Sequence, residues 1–546
     1  MGSSSSPTNA ELTPNSHLFT TPQLPIPTPV SCSSSKPNTF VEILSALPDF
    51  STIVPVNKEE TLLSNSVDLP RGTPRCSQRS SKLVRVVDLK PHDHCYYREQ
   101  IRRTRMLFEN LRVCSIAEDE KNRNMLGPHK STSWDVKAAT IMKQSGLWLN
   151  FDKRIVGNIP GVYIGDVFFL RTEMCIIGLH GQPKAGIDYV PAHQSSNREP
   201  IATSIIVTEV ELRVIRAFKY QGSISGKVYV YDGLYRVTDT WFDMGKSGFG
   251  VYKFKVVRIE NQKEMGSAVI KLAKSLRVFP SEAPPKGYVT LDLSKKEENV
   301  PVLLFNEIDG VHEPLYYKYL KTTVFPRNVY EHGNGNGCEC MGGCSWDCSC
   351  IEKNGGEFAY DMNGILVIGK PLIIECGPNC LCPPTCRNRV SQMGVKKRFE
   401  VFRSRETGWG VRSLDLIRAG SFICEFAGIV LTREQTQIVT MNGDCLIHPS
   451  RFSKRWEEWG DLSKIFPDYV RPAYPSIPPL DFAMDVSVMR NLACYMSHSS
   501  IPNVFVQLVL YDHNNVSFPH LMLFALENIP PMRELSLDYG VADLQF

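Results

Sequence analysis

The sequence lacks the features that mark several large classes of protein. Its 546 residues contain no run approaching the roughly 18 uncharged apolar residues of a membrane span, so we expect no membrane partner. The opening residues MGSSSSPTNA include no apolar stretch that could act as a secretory signal. The formal net charge is only +4, so DNA binding would have to come from a local surface. No internal repeat is visible, which argues against a solenoid.

Residues 1 to about 80 also lack the apolar patterning of a folded segment. They are rich in Ser, Thr and Pro, as in TPQLPIPTP and CSSSKP, and cannot bury enough surface to fold alone. We predict a disordered tail over 1–80. The remainder is long enough for two or three domains of about 100 to 200 residues each, and a hydrophobic content of 42% can fill their cores.

Cysteine is abundant in one place. Nine of the 17 cysteines lie within 49 residues, in two groups: Cys338, Cys340, Cys344, Cys348, Cys350, and then Cys376, Cys380, Cys382, Cys386. Zinc prefers four ligands in a tetrahedron, and nine thiolates serve three zinc ions if six bind one ion and three bridge two. The alternatives are a disulfide knot, which needs an oxidising compartment and leaves one odd thiol, or a loose set of reduced thiols.

Two helices are predicted over 85–150. Tyr97, Ile101, Phe108 and Leu111 recur at helical offsets, and four arginines lie elsewhere on the same helix: Arg98, Arg102, Arg105, Arg112. A second helix is predicted from Asp135 to Ser145, ending at Gly146. The pair either packs on the neighbouring domain or forms an arm that faces DNA or a partner.

The rest of the chain has the pattern of short strands and turns. Residues 151–300 predict a β barrel or sandwich, and residues 395–546 predict a second β domain with a Pro- and Trp-containing insertion at about 450–480. Residues 300–335 read as a linker. The expected fold class is therefore multidomain and mainly β with some α.

Three motif groups, in this order, resemble the plant suppressor-of-variegation homologue (SUVH) family. They are GDVFFLR, GLHGQPKAGIDY and VYVYDGLY (within 165–235), the nine-cysteine module, and GWGVRS, RNLACYMSHSSIPN and ELSLDYG (within 408–540). The resemblance implies an SRA (YDG) barrel over 151–300 that binds methylated DNA, a three-zinc pre-SET module over 335–390, and a SET domain over 395–546. It also implies a nuclear chromatin protein.

The resemblance assigns roles to several residues of the SET domain. In SET enzymes a tyrosine aligns the lysine amine that attacks the methyl group of S-adenosylmethionine, and Tyr539 matches that tyrosine. Gly408, Trp409, Gly410 and His498 match the residues that bind the cofactor.

Departures from the family pattern predict that these roles are vestigial. Ser497 stands where the family has an asparagine, Ser500 replaces a zinc-binding cysteine, Leu537 replaces a channel aromatic, and Cys494 replaces an arginine. No cysteine follows Cys494 and the chain ends at Phe546, so we expect no post-SET zinc. We predict a pseudoenzyme that resembles the branch without a post-SET segment, with doubtful binding of S-adenosylmethionine.

The SRA domain also departs from the pattern. In the family, the segment that forms the 5-methylcytosine pocket follows the stretch matching 201–207, but here the chain runs directly into VELRVIRAFKY, so the domain is shortened near 207–209. Gln182 and Lys184 of the first loop remain as candidate DNA contacts. The motif Tyr231, Asp232 and Gly233 is expected to organise the β core. Either the transcript has dropped a segment, or base flipping is lost.

Three functions remain open on the sequence. The leading one is a chromatin adaptor that supports RNA-directed DNA methylation, with methylated DNA, histones or nucleosomes, and silencing proteins as partners. The second is an active histone H3 lysine 9 methyltransferase. The third is a truncated product that has lost methyl-DNA reading.

Overall fold

A computed structural model describes residues 53–55, 83–126, 133–184, 189–190, 201–202, 211–246, 248–278, 285–331, 333, 335–439 and 446–540. No helix among them is long and apolar enough to cross a membrane. The predicted tail over 1–80 lies outside the described residues, apart from a strand at Ile53–Pro55 that the sequence did not predict.

The helices, numbered in chain order, are α1 (Pro91–Leu126), α2 (Trp134–Gln144), α3 (Arg171–Ile176), α4 (Gly266–Leu276), α5 (Ser349–Glu352) and α6 (Arg433–Val439). The strands are β1 (Ile53–Pro55), β2 (Leu83–Val86), β3 (Arg154–Val156), β4 (Val167–Phe168), β5 (Tyr189–Val190), β6 (Ile201–Ala202), β7 (Leu212–Lys219), β8 (Lys227–Met244), β9 (Gly250–Arg258), β10 (Tyr288–Thr290), β11 (Leu303–Phe305), β12 (Lys318–Tyr319), β13 (Ile373–Ile374), β14 (Phe399–Ser404), β15 (Gly408–Ser413), β16 (Phe422–Glu425), β17 (Ile429–Thr432), β18 (Leu446–Ile447), β19 (Phe482–Asp485), β20 (Met489–Arg490), β21 (Ser497–His498), β22 (Val504–Leu510), β23 (His520–Ala525) and β24 (Glu534–Leu537). The prediction of a mainly β, multidomain chain is confirmed.

The first β region is built around the long strand β8. Strands β4 and β7 pair with its first half, and β9 pairs with its second half as an antiparallel hairpin. A small sheet of β1, β2 and β3 stands beside it. The core under these strands includes Ile155, Phe168 and Tyr231, each at most 3% exposed, and helices α1 and α2 contribute Phe108 and Met142 to it.

The second β region holds a six-stranded sheet in the order β10-β11-β14-β15-β24-β21 and a four-stranded sheet in the order β13-β22-β23-β16. Strand β11 lies parallel to β14, with Leu304 opposite Val401. The expectation that 300–335 is only a linker is therefore wrong for this stretch. Val302 and Leu304 are fully buried in the core of the sheet, which gives the strand its place.

Helix α1 lies between the two β regions, and its arginines hold them together. Arg98 donates to Asp166 of the first region at 2.6 Å and to Glu527 of the second at 2.7 Å, and is only 5% exposed. Arg102 donates to Glu458 at 2.6 Å. Of the two alternatives for the helical pair, the structure shows packing against neighbouring domains.

The same helix carries a half-buried glutamate with two arginine partners. Glu109 accepts hydrogen bonds from Arg112 and from Arg418 of the second β region, at 2.5 and 2.6 Å. Burial alone would raise the pKa of Glu109, but the two arginines lower it to about 2. The predicted second helix, 135–145, is observed at Trp134–Gln144, and Gly146 follows it with φ +70°.

Candidate functional site

The nine cysteines of the two groups converge in one cluster. Six of them are buried, and Cys340, Cys344 and Cys380 are partly buried against the others. The Sγ atom of Cys344 lies 3.6 Å from that of Cys338 and 3.4 Å from that of Cys376. In a zinc tetrathiolate with Zn–S bonds of about 2.3 Å, the sulfurs are about 3.8 Å apart. The sulfur spacing therefore fits shared zinc coordination, and no disulfide is present among the described cysteines.

Backbone and side-chain donors surround these sulfurs. The N–H groups of Cys338 and Cys344 donate to the Sγ atoms of Cys380 and Cys386, each at 3.4 Å. Arg389 Nε donates to Cys382 Sγ, also at 3.4 Å. Hydrogen bonds of this kind stabilise thiolates, the form that binds zinc.

Four-sulfur sites can be drawn within the cluster in more than one way. Three overlapping groups have ligand atoms within 4.8 Å of one another, and they are Cys338, Cys344, Cys376, Cys382; Cys338, Cys344, Cys348, Cys350; and Cys338, Cys350, Cys376, Cys380. Cys338 belongs to all three groups, Cys344, Cys350 and Cys376 belong to two, and Cys340 and Cys386 belong to none, so sulfurs are shared between possible sites but the groups do not give a count of ions. The donor set fits zinc.

Tyr539 follows strand β24, and its hydroxyl is held by the protein. The hydroxyl donates to the carbonyl of Met496 at 3.0 Å and lies 3.5 Å from that of Ala493. Its ring packs against Phe426 and Phe452, with centroids 6.3 and 6.0 Å away. Burial raises the pKa of Tyr539 well above its ordinary value. The side chain is thus a neutral hydroxyl.

His498 stands beside Tyr539, as the sequence predicted for a shared site. Strand β21 runs parallel to β24 with His498 opposite Leu537, and the exposed His498 ring accepts a hydrogen bond from the Tyr539 N–H at 3.4 Å. Sequence reasoning missed Asn503, which precedes β22 and binds the backbone of β24. Its side chain donates to the Glu534 carbonyl at 2.8 Å and accepts from the Ser536 N–H at 2.9 Å.

The predicted cofactor loop, Gly408 to Gly410, is used by the protein itself. Gly408 has φ +79°, which favours glycine at this turn. A Cβ atom at Gly410 would lie 2.8 Å from Glu534 and 2.9 Å from the Phe402 ring, so no open space adjoins it. Trp409 Nε1 donates to Glu313 at 3.1 Å. These contacts fill the space on the Cβ side of Gly410 and engage the indole N–H of Trp409.

The positions that depart from the family pattern lie around Tyr539. Leu537 is buried in the sheet core and 1% exposed. Cys494 packs on the same core. Ser497 is half-buried on β21, and Ser500 is exposed two residues beyond it. The structure therefore places the four replacements in or beside one site.

The candidate residues of the SRA region separate into a core set and a surface set. Tyr231 and Asp232 are fully buried, and their partners are Asn158, at 2.9 Å, and the N–H of Ser267, at 2.7 Å. The motif organises the barrel, as predicted. Gln182 and Lys184 are exposed. The junction at 207–209 lies outside the described residues.

An exposed apolar hairpin in this region was not predicted. From Arg236 onward, β8 and β9 extend past the rest of the sheet. Trp241, Phe242, Met244 and Phe249 are 43%, 62%, 62% and 75% exposed. The pattern of short strands and turns predicted strands over 151–300, but not that the apolar side chains at the end of this hairpin are exposed.

The fold and the cysteine site define the class of this protein as a SET-domain protein with a pre-SET cysteine cluster and an SRA domain. The Pre-SET motif family matches residues 294–389 and the SET domain family matches residues 408–540. The SAD/SRA domain family matches in two pieces, 155–211 and 207–262.

The chain belongs to the SUVH family of histone-lysine methyltransferase homologues. Arabidopsis thaliana SUVH9, described as a histone-lysine N-methyltransferase family member, is 52% identical over 515 residues, which are 85% of this chain and 79% of that protein. Arabidopsis thaliana SUVH2 is 51% identical over 514 residues, again 85% and 79%.

Solved structures of the family have a similar fold. The crystal structure of SUVH9 has a TM-score of 0.75 at 53% identity and covers 82% of this chain and 100% of its own. The structure of Arabidopsis thaliana SUVH6 in complex with SAM has a TM-score of 0.70 at 32% identity, covering 82% and 96%.

Proposed function

We propose that this SUVH protein is a nuclear chromatin adaptor whose SET domain is a scaffold without methyltransferase activity. The observation that carries the proposal is the replacement of four residues around Tyr539, namely Cys494, Ser497, Ser500 and Leu537. A serine at 497 is too short to reach a bound cofactor and has no amide to donate or accept. Loss of cofactor contacts and channel residues together costs several powers of ten in rate, since each misplaced element can cost about 100-fold.

The contacts of the glycine loop support the same proposal. Gly410 faces Phe402 and Glu534, and Trp409 is engaged by Glu313. Because the loop already has these partners, binding of S-adenosylmethionine is left out of the proposed function. SUVH6 has been crystallised with SAM, so the family fold itself can hold the cofactor.

A methyl-transfer assay separates the adaptor from the alternative, an active histone H3 lysine 9 methyltransferase. Labelled S-adenosylmethionine is supplied with histone H3, and an active SUVH enzyme provides the positive control. We expect no incorporation above background. Incorporation that is lost in Tyr539→Phe would overturn the adaptor proposal.

The cysteine cluster is proposed to hold three zinc ions in this scaffold. Nine thiolates can complete three tetrahedra only if three of them bridge, and the recurrence of cysteines among the overlapping groups supports such sharing. Zinc released by a thiol-specific mercurial counts the cluster directly. We expect three ions per chain, and a count of one or two would contradict the arrangement.

For the SRA region we propose DNA binding without a complete base-flipping pocket. The two SAD/SRA matches meet at 207–211, where the shortening was predicted, and this supports a missing segment. The exposed Gln182 and Lys184 remain to contact DNA. The structure of KRYPTONITE in complex with mCHG DNA, with a TM-score of 0.62 and 27% identity, shows that a relative binds methylated DNA.

Binding to methylated and unmethylated duplexes tests the DNA role of the adaptor. A gel-shift assay uses both duplexes with the protein and with Lys184→Ala, and Lys153→Ala serves as the control. Preference for the methylated duplex supports a methyl-DNA reader within silencing complexes. Equal binding removes methyl reading, and no binding to either supports the truncated product.

A further inference from the structure

A turn of the SET region gathers three metal-ligating side chains away from the cysteine cluster. Residues 511–519 join β22 to β23, and they bring Asp512 and His513 next to His520, the first residue of β23. One ligand atom of each lies within 4.8 Å of the others. Two histidines and a carboxylate form a donor set that suits zinc.

The distances are close to those of a tetrahedral site. Asp512 Oδ1 lies 2.9 Å from His520 Nε2 and 3.7 Å from His513 Nε2. Zinc bonds of about 2.0–2.1 Å place neighbouring ligand atoms about 3.3 Å apart. Both distances from Asp512 are within half an ångström of this value, and a ring nitrogen of each histidine lies within 4.8 Å of one on the other.

His513 supplies a second and independent observation. Its side chain is fully buried, and Nε2 has no hydrogen-bond partner within the part of the chain that the structure describes. The other ring nitrogen, Nδ1, receives the N–H of Asn515 at 3.2 Å, and the ring also hydrogen-bonds the backbone of Phe518. Since Nδ1 accepts from Asn515, the proton of the neutral ring lies on Nε2 in the metal-free protein. A metal at Nε2 requires this proton to move to Nδ1, where the backbone of Phe518 is available to accept it in place of the Asn515 contact.

The other two ligands also have supporting partners. His520 Nδ1 lies 2.9 Å from Glu425 on β16, so an Nδ1–H donated to that carboxylate directs Nε2 toward Asp512. Tyr330 hydrogen-bonds Asp512. Histidine ligands of metals usually donate their second nitrogen to a carboxylate or a backbone carbonyl, and here both histidines have such a partner.

We propose that Asp512, His513 and His520 bind one zinc ion in addition to those of the cysteine cluster. The ion takes the place of the proton between Asp512 and His520, and that proton is released to solvent. The Asp512 side chain is 26% exposed, which leaves a path for the ion and room for a water as fourth ligand. Through Glu425 and Tyr330, the ion ties the β22–β23 turn to β16 and to the segment before the cysteine cluster.

Zinc content per chain tests the site. The full-length protein, His513→Gln and Asp512→Asn are expressed with zinc, passed through gel filtration and measured by mass spectrometry for metal. We expect each variant to carry one zinc fewer than the unmodified protein. His312→Gln, which changes an exposed histidine elsewhere, should keep the full number.

The experiment is decisive even if one variant folds poorly, because Asp512→Asn changes only one side-chain atom. Cobalt(II) loaded into the unmodified protein gives a further readout. Visible absorption from a nitrogen- and oxygen-ligated site should be present and should be lost in Asp512→Asn, while the sulfur-to-cobalt bands of the cluster remain. Equal zinc content in the unmodified protein and both variants overturns the proposal, whatever number the cluster holds.

Discussion

Apolar residues are buried in the SET sheets and exposed in the SRA hairpin. All six residues of β23 and six of the seven residues of β22 are buried. In the hairpin of β8 and β9, by contrast, Phe242 is 62% exposed and Phe249 is 75% exposed. A two-stranded hairpin is marginally stable in water by itself. Both β regions have a buried core, but in the SRA region the end of the hairpin extends beyond it.

This difference in burial distinguishes the SET region, the proposed scaffold, from the SRA region, the proposed DNA-binding part. Helix α1, the cysteine cluster and the SET sheets form contacts that depend on each other. The β8–β9 hairpin takes little part in these contacts. The proposed loss of the pocket segment removes base flipping from the SRA region. It leaves the contacts that α1 makes with both β regions in place.

The largest effect is expected at the cysteine cluster, which belongs to the buried part of the molecule. Cys344→Ser removes a thiolate that lies between Cys338 and Cys376. Structural zinc contributes about 10–16 kcal/mol of apparent binding energy in small zinc domains, so we expect the pre-SET region to unfold. Zinc content and thermal unfolding measure this, with Cys95→Ser at an exposed cysteine as the control. An unchanged melting temperature with full zinc content would contradict the cluster.

The next effect concerns the joint between the halves. Arg98→Ala removes the buried cation between Asp166 and Glu527 and leaves Arg533, 2.6 Å from Asp166, as their remaining partner. Breaking a buried pair costs about 3–5 kcal/mol when no partner remains, so this is the upper limit of the loss. Arg433→Ala is the matched control, because its partner Asp481 and Arg433 itself are 67% and 73% exposed, and such surface pairs are worth about 0–1 kcal/mol. Urea unfolding should show Arg98→Ala separating the two regions into distinct transitions. Equal losses in both variants would mean that α1 does not couple them.

A pair of phenylalanines tests the comparison within a single residue type. Phe524 on β23 is fully buried and Phe242 on the hairpin is 62% exposed. Phe524→Ala should cost about 3–5 kcal/mol, whereas Phe242→Ala should change stability by no more than about 0.5 kcal/mol. Chemical denaturation of both variants gives the two numbers. A large loss for Phe242→Ala would show that the hairpin is covered in solution.

The cysteine cluster and the two helices could be predicted from the sequence, because ligand spacing and the 3.6-residue period are local signals. The burial of Arg98 and Arg102 could not. Their partners Asp166, Glu458 and Glu527 are far away in the sequence, and an arginine on a helix face gives no sign of a carboxylate brought there by another domain.

Two further features of the SET region could not be predicted from the sequence for a similar reason. Strand β11 has three residues, which are too few to show alternation, and its sequence therefore predicts a linker. Nothing in the sequence marks Asn503, although its side chain ties the segment before β22 to the backbone of β24. The shortening near 207–209 stays a prediction.

The smallest expected effect is the acid sensitivity of the joint. The pKa of Glu109 is about 2 in the folded protein, below its ordinary value of 4.5. The carboxylate therefore contributes stability that is fully present above pH 4.5 and is lost as the pH falls from 4.5 toward 2. At about 1.4 kcal/mol per pKa unit, the contribution is at most about 3 kcal/mol. Subtracting the unfolding free energy of Glu109→Gln from that of the unmodified protein at pH 5, 4 and 3 isolates it. The difference should shrink with each step, and a difference that is constant or grows would mean that Arg112 and Arg418 do not hold Glu109 ionised in solution.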